Sequence, residues 1–305
     1  MRRVNGLRYG TSTCRRLTEA VGAELQQQHA RGQAVPLPQP PAWDFSLPQR
    51  DGQEFGGTVA YAGMDAFAVP TRADGGVDWK MLYVGLLYDP SKEHTLYLAD
   101  YDFERPAGLL RAYAVSLGVG RAETLVALTD GGNGLERVLR QGVSGAVVCG
   151  SDGWRLSEKP HAVGRRSHGQ DAGAARAWAE ARETTLWEQG GQGLAEEMGR
   201  LGCPAGASAG ARGKWRLLRE HLWKNRHRTD YPGYRARGWD VGSGPTEAGC
   251  KILGQRVKGG GMRWLQGGSL EVATLKALYA SGMGLWDAFW KQRQPGHGSL
   301  SGRRN

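Results

Sequence analysis

The sequence lacks long apolar runs, and no stretch approaches the roughly 18 apolar residues that a membrane-spanning helix needs. Its opening residues, MRRVNGLRYGTSTCRR, also lack the apolar core of a secretory signal peptide. These two absences argue against a membrane partner. They favour a cytoplasmic protein.

Cysteine is scarce, and the four cysteines (Cys14, Cys149, Cys203 and Cys250) stand singly along the 305 residues. None belongs to a CxxC pair or has a histidine at metal-ligand spacing, so the pattern predicts neither a zinc site nor a disulfide framework. We interpret them as reduced thiols.

Acidic residues become rare in the last third of the chain. Residues 205–305 hold 18 lysines and arginines against six aspartates and glutamates, which accounts for all of the formal net charge of +10. Such a basic region attracts polyanions, and neutralising phosphates releases counterions, as in nucleic-acid binding. A solvated basic surface without a partner is the alternative.

The first fifty residues contain one helical pattern and one irregular stretch. Apolar residues at helical spacing predict an amphipathic helix from Cys14 to Gln33. Five prolines in VPLPQPPAWDFSLPQRDGQ then forbid regular structure, so we expect a linker there. After it, TVAYAGMDAFAVP, MLYVGLLYD and HTLYLADYDF predict three neighbouring strands in hairpin succession.

The order of the later elements predicts a mixed α/β sheet. A helix at about Pro106–Leu117, the strand run in ETLVALTDGGNG, a helix at GLERVLRQ and the strand GAVVCG follow the three strands. This order matches a ribonuclease-H-like core. The chain then turns helical from Asp171 to Leu222, which we interpret as an all-helical insertion, and a helical C-terminal part follows.

We therefore divide the chain into six regions. In order, they are a helical N-terminal part (1–34), a proline-rich linker (35–54), the first part of the ribonuclease-H-like core (55–155), the helical insertion (156–230), the C-terminal helices, which include the one with Glu247 (231–294), and a disordered tail (295–305).

Three acidic residues stand out by position: Asp65 inside the first strand of the sheet, Asp130 at the end of a later strand, and Glu247 in the first turn of a helix. Strand interiors disfavour aspartate. Phosphodiester chemistry would need such residues, because carboxylates bind the two divalent cations that assist an in-line displacement. Taken singly, each also fits an ordinary turn, sheet edge or helix dipole.

The segment DVGSGPTEAGCKILGQRVKGGGMRW (240–264) resembles the signature of the ISKra4 family of DDE transposases, which are encoded by bacterial insertion sequences. Six other blocks agree in the same order, so the similarity covers nearly all of residues 7–290. They are RRLTEAVGAEL, VAYAGMDAFAV, MLYVGLLYDP, ALTDGGNGLE, HGQDAGAARAWAEA and KNRHRTDYPGYRARGW.

The resemblance implies a catalytic triad of Asp65, Asp130 and Glu247, which match the motifs MDAFAV, TDGGNGLE and SGPTEAGCK. It further implies two Mg²⁺ or Mn²⁺ ions held by these three carboxylates. The implied activity is cleavage of transposon ends and their transfer to target DNA, carried out by a homo-oligomer on DNA. A remnant that binds DNA without catalysis, and a nuclease of the same fold, remain alternatives.

Basic residues near the triad are candidates for phosphate contacts, and Trp264 for stacking on a base, although an indole there also fits a core position. A second basic run, WKNRHRTDY, also suits phosphate binding, or else a solvated helix end. The candidate DNA-binding residues are Lys224, Arg226, Arg228, Lys251, Arg256, Lys258, Arg263 and Trp264.

Two stretches depart from the family pattern. CGSDGWRLSEK stands where the family has a motif like LDFYHAAEHL, and no clean counterpart of that motif's histidine is apparent. We expect this stretch, around residues 149–160, to be aberrant. Family members also carry a longer N-terminal region, so we expect a truncated chain that lacks a module for recognising the transposon ends.

Overall fold

The computed structural model describes residues 2–4, 7–129, 137, 147–204 and 206–293. The helix expected at GLERVLRQ falls largely outside these residues, as does the tail expected from residue 295. None of the helices in the described part of the chain combines the length and the apolar character needed to cross a bilayer.

A five-stranded mixed sheet forms the centre of the fold. Its strands are β3 (Val59–Ala73), β4 (Gly76–Tyr88), β5 (Thr95–Asp100), β6 (Thr124–Thr129) and β7 (Val147–Ser151). Their spatial order is β5–β4–β3–β6–β7, with antiparallel pairing from β3 to β5 and parallel pairing from β3 to β7. The predicted hairpin succession and the mixed α/β class are confirmed, and β3 is the central strand. A separate two-stranded hairpin joins β1 (Arg2–Val4) to β2 (Leu7–Tyr9).

Helices surround the sheet and form a second helical group. They are α1 (Thr11–Ala30), α2 (Arg105–Ser116), α3 (Gly153–Ser167), α4 (Ala172–Leu201), α5 (Ala209–Lys224), α6 (Tyr231–Ala236), α7 (Gly244–Val257), α8 (Gln266–Ser281) and α9 (Leu285–Arg293). Alternate residues of β3 enter two different apolar clusters, so helices cover both faces of the sheet. The cluster with α2 includes Met64, and the cluster with α7 includes Tyr61 and Phe67.

Helices α3 to α6 share an apolar cluster of their own, which includes Leu186, Leu218 and Tyr231. The helical region starts at Gly153, close to the expected boundary at residue 156 and before the helical pattern that begins at Asp171, because Asp152 caps α3 directly after β7. Helix α4 breaks at Gly190, where φ is +71° and an added Cβ would lie 2.7 Å from the Thr229 carbonyl oxygen. Only glycine fits that position without strain.

The proline-rich segment lacks helices and long strands, but it is more than a linker. Val35, Trp43, Phe45 and Leu47 are buried in the two clusters around the sheet. Helix α1 is likewise part of the core, since it packs on α8 so closely that a Cβ at Gly22 would collide with the Glu271 carbonyl. Neither segment stands apart as a separate unit in the structure.

Acidification is expected to weaken this fold through His29 on α1, whose Nε2 lies 2.9 Å from the Tyr113 hydroxyl. Burial lowers the pKa of His29 from 6.5 to about 4. The unfolded state therefore takes up the proton first as the pH falls, so stability that is fully present above pH 6.5 is lost towards pH 4. We expect this residue to lower the free energy of unfolding by about 2 kcal/mol between pH 7 and pH 5.

Urea unfolding at pH 7 and pH 5 checks this expectation. The matched variant is His29→Gln, which offers Tyr113 a polar partner but does not titrate in this range. Its stability should change less with pH than that of the unaltered protein. The same pH dependence in both proteins would assign the acid sensitivity to other groups.

Candidate functional site

Asp65 lies near the middle of the central strand β3, where it is half-buried. Side chains alternate along a strand, so it faces the same way as Gly63, towards α7. Its Oδ1 accepts a hydrogen bond from the Ala66 amide at 2.8 Å, and its Oδ2 lies 3.7 Å from the Cys250 thiol. The carboxylate is thus held between the sheet and a helix, with both oxygens at defined positions.

Glu247 lies in the first turn of α7, where the helix dipole favours a carboxylate. The helix begins at Gly244 with a proline in its first turn, as its sequence predicts. It packs tightly on β3, because Gly63 has no side chain and the Thr246 hydroxyl occupies the space that a Cβ would fill. This close contact sets the distance between the sheet and the turn of α7 that carries Glu247.

Cys250 connects the two carboxylates. It lies one turn after Glu247 on α7, and its thiol donates to Asp65 Oδ2 at 3.7 Å. Burial, and then the charges of Asp65 and Glu247, raise the pKa of this thiol well above its usual range. The thiol therefore stays protonated and is a poor nucleophile, and both carboxylates are close enough to act on it.

The third predicted acid, Asp130, lies outside the described residues. Strand β6 ends at the buried Thr129, which directly precedes it in the sequence. The parallel register of β3 and β6 pairs Gly63 with Leu128, so β6 ends beside the part of β3 that leads into Asp65. The described structure thus places Asp65 and Glu247 on neighbouring elements. For the third predicted acid, it describes the strand only up to Thr129, the residue before Asp130.

Asp152 is a further acidic residue at this edge of the sheet, and the sequence analysis missed it. It follows β7 and is only 4 % exposed. Its Oδ1 accepts hydrogen bonds from the amides of Trp154 and Arg155, at 2.9 and 3.1 Å. Its Oδ2 accepts from both the amide and the hydroxyl of Ser243, the N-cap residue of α7. Asp152 therefore caps α3 and anchors the start of the helix that carries Glu247.

A signal for Asp152 was present in the sequence. Set without a gap against the motif LDFYHAAEHL, residues 151–160 pair Asp152 with its aspartate, Arg155 with its histidine and Glu158 with its glutamate. The stretch that departs from the family pattern is regular in the structure, as the end of β7 followed by a capped helix.

Arg155 is the cation beside Glu247. Its Nε and one terminal nitrogen lie 3.1 and 2.8 Å from Glu247 Oε1. The two side chains are 50 % and 36 % exposed, so water screens the pair and its contribution to stability is small. Its importance is local, because it places a positive charge on a carboxylate that a metal ion would need.

Divalent ions would find two carboxylates here, Asp65 and Glu247, and hard oxygen ligands of this kind suit Mg²⁺ or Mn²⁺. Among the described residues, no group of three or more histidines, cysteines, aspartates or glutamates is placed to hold a metal. A complete site therefore depends on Asp130, the acid outside them. The donor chemistry fits the predicted ions.

The cations downstream of Glu247 lie on the surface. Lys251, Arg256, Lys258 and Arg263 are exposed along α7 and the turn after it. The Lys258 amino group lies 5.6 Å from the centre of the Phe67 ring, on the same strand as Asp65. These residues remain candidates for phosphate contacts.

Trp264 is held inside the fold. Its indole nitrogen donates to the Val257 carbonyl at 2.9 Å, and its backbone pairs with Pro70 and Arg72 of β3. These contacts favour the core interpretation of this residue over base stacking.

The basic run after α5 divides into exposed and buried parts. Lys224 and Arg226 are exposed, and the Arg226 guanidinium lies 4.7 Å from the centre of the Trp223 ring. Arg228 is only 5 % exposed, so its side chain is not accessible to a DNA phosphate, contrary to the prediction. The periodicity of the sequence could not distinguish these neighbours, since a short 3₁₀ turn at Arg226–Arg228 rotates them.

Comparisons with known proteins add no family to these observations. No protein-family model matches the chain, and no curated protein matches it significantly.

Proposed function

We propose that this protein is a DDE-type transposase that cleaves DNA and transfers the cut strand with the aid of divalent metal ions. The observation that carries the proposal is the placement of two carboxylates, Asp65 on the central strand and Glu247 in the first turn of α7, the helix whose Cys250 thiol contacts Asp65. Strand β6 ends next to them, one residue before Asp130. Catalytic residues of α/β folds commonly lie at such strand ends.

The sheet supports a ribonuclease-H-like assignment. Three antiparallel strands, a helix and two strands parallel to the first give the order β5–β4–β3–β6–β7, the arrangement expected of that fold. The first acid then lies on the central strand and the second follows the adjacent parallel strand. The helical group between β7 and α7 stands where the insertion of the resembled family would lie.

The chemistry assigns distinct tasks to the side chains. Asp65, Asp130 and Glu247 would hold Mg²⁺ or Mn²⁺, which when bound supply the Lewis acidity for an in-line displacement at phosphorus. Asp152 and Ser243 fix the first turn of α7, so Glu247 would be held in a constant position as a ligand of the ions. Arg155, Lys251 and Lys258 would neutralise the phosphates that flank the cut. The partners are DNA and further copies of this chain, within the bacterial nucleoid.

Arg155→Gln is expected to bind Mn²⁺ about two- to fivefold more tightly than the unaltered protein, because the exposed pair with Glu247 competes weakly with the ion. Isothermal titration calorimetry without DNA measures this directly. Arg165→Gln removes the same charge from an exposed position further along α3 and serves as the control. An equal gain in Mn²⁺ affinity in both variants would mean that only the net charge matters. No gain in Arg155→Gln would show that Arg155 does not compete with the ion.

The Arg155–Glu247 pair also favours a second candidate function, that of a DNA-binding remnant without catalysis. In that case the guanidinium stays on the carboxylate and the chain occupies DNA without cutting it. A nuclease of the same fold differs only in its products, because it would cut DNA without joining it to a target.

Purified protein on duplex DNA with the ends of its own element and with Mn²⁺ distinguishes these candidates. We expect cleavage and joining to target DNA, both lost in Glu247→Ala and both retained in Glu188→Ala, which alters an exposed glutamate on α4. Salt-sensitive binding without cleavage would point to the remnant. Cleavage without joined products would point to the nuclease.

A further inference from the structure

Trp154 is a large apolar side chain that the fold leaves in solvent beside the candidate site. Its exposed fraction is 62 %, compared with 60 % for Trp79 and 50 % for Trp223. Trp79 and Trp223 are also exposed, but Trp79 lies on the outer half of the β3–β4 hairpin and Trp223 near the end of α5. Trp154 differs from these two tryptophans because it lies next to the candidate site, beside Arg155 and its partner Glu247.

The position of Trp154 is tied to Glu247 through two connections. Its indole lies against Gly242, where an added Cβ would be 2.7 Å from the indole Cδ1, and Gly242 directly precedes the N-cap of α7. Its neighbour in the chain, Arg155, bonds Glu247 itself. The indole therefore borders the loop from which the glutamate's helix starts.

The indole is fixed rather than free to turn. The Asp152 carboxylate accepts the backbone amide of Trp154, and the Gly153 amide donates to the Val241 carbonyl at 2.8 Å. Trp187 lies behind the indole with a ring separation of 5.0 Å, and Trp187 in turn packs on Tyr231. A preset aromatic surface loses little conformational freedom when a flat ligand binds to it.

We propose that Trp154 stacks on an unpaired DNA base next to the phosphate that is cut, an inference that rests on the proposed function. An aromatic ring with cations beside it, here Arg155 and the Arg235 guanidinium over Trp187, suits a base joined to phosphates. Stacking tolerates any base, because each base has a flat π-face. Trp154 thereby takes the role that the sequence had suggested for Trp264.

Binding of two DNA duplexes of equal length tests the inference. One is blunt, and the other carries a three-nucleotide single-stranded overhang with 2-aminopurine as its first unpaired base. Without divalent metal, so that no cleavage occurs, we expect the unaltered protein to prefer the overhang by about five- to a hundredfold and to quench the 2-aminopurine fluorescence.

Three variants sharpen the test. Trp154→Ala should lose both the preference and the quenching, whereas Trp154→Phe should keep part of each because it retains an aromatic ring. Trp79→Ala removes a tryptophan of similar exposure and should match the unaltered protein. Circular dichroism shows whether each variant folds. If Trp154→Ala does not fold, the partial loss of overhang preference and of quenching in Trp154→Phe tests the stacking role instead.

The outcomes separate this inference from the proposed function. Equal binding of both duplexes, or an unchanged preference in Trp154→Ala and Trp154→Phe, overturns the stacking role while the transposase proposal stands on its cleavage assay. Failure of the unaltered protein to bind any DNA overturns both.

Discussion

Replacing Asp65 by asparagine is expected to lower Mn²⁺-dependent DNA cleavage by roughly a thousandfold or more, because metal ions contribute several kcal/mol to such reactions and the loss of an anionic ligand removes that contribution. The change is nearly isosteric. The amide can still accept the Ala66 hydrogen bond through its oxygen, so the strand should keep its structure. DNA affinity should change by no more than about twofold, since the phosphate contacts that dominate affinity lie on the cations.

The matched control is Asp74→Asn, which removes one negative charge from the exposed turn of the same β3–β4 hairpin. Single-turnover cleavage, with DNA affinity measured in parallel, distinguishes loss of chemistry from loss of binding. Equal activity of the two variants would remove Asp65 from the catalytic group. A large loss of binding in Asp65→Asn alone would assign it to the DNA surface instead.

Replacing Asp152 by alanine is expected to lower the free energy of unfolding by about 3–5 kcal/mol. The substitution removes an N-cap and leaves four donors without their acceptor: the amides of Trp154, Arg155 and Ser243, and the Ser243 hydroxyl. Loss of a cap costs up to about 2 kcal/mol, and loss of a buried hydrogen bond to a charged group about 1.5–3 kcal/mol.

Urea unfolding followed by tryptophan fluorescence measures this effect. The control Asp171→Ala removes another aspartate N-cap, which is exposed and accepts one amide from Ala174, so it should cost only about 1 kcal/mol. Ser243→Ala, which removes the hydroxyl and keeps the amide, should fall between the two. Similar losses for Asp152→Ala and Asp171→Ala would mean that the link from α3 to α7 carries little free energy.

The strands of the sheet could be predicted because their information is local. The runs around Asp65 and Leu86 are rich in β-branched and aromatic residues and are separated by turn residues, so element type and hairpin order follow from the sequence. The N-cap and first-turn proline of α7 are local signals of the same kind. The placement of Glu247 at a helix start therefore needed no tertiary information.

Other features depend on partners that are distant in the sequence. Asp152 gains its role from Ser243, 91 residues later, and nothing in CGSDGWRLSEK indicates that partner. Trp154 and Trp264 look alike as isolated indoles, and only tertiary contacts leave one exposed and the other held. The proline-rich segment predicts irregular backbone correctly, but its burial depends on the surfaces of α2, α8 and α9.

The packing of α1 on α8 affects the order of events during synthesis. The Gln26 side chain donates to the Thr274 hydroxyl across 248 residues, and Glu24 pairs with Arg293. At ribosomal rates of about 5–20 residues per second, α1 leaves the ribosome on the order of ten to fifty seconds before its partner helix is made. During that interval the side of α1 that packs on α8 has no native neighbour, so this contact is among the last to form. A nascent chain that stalls before residue 266 would leave that side of α1 exposed to chaperones.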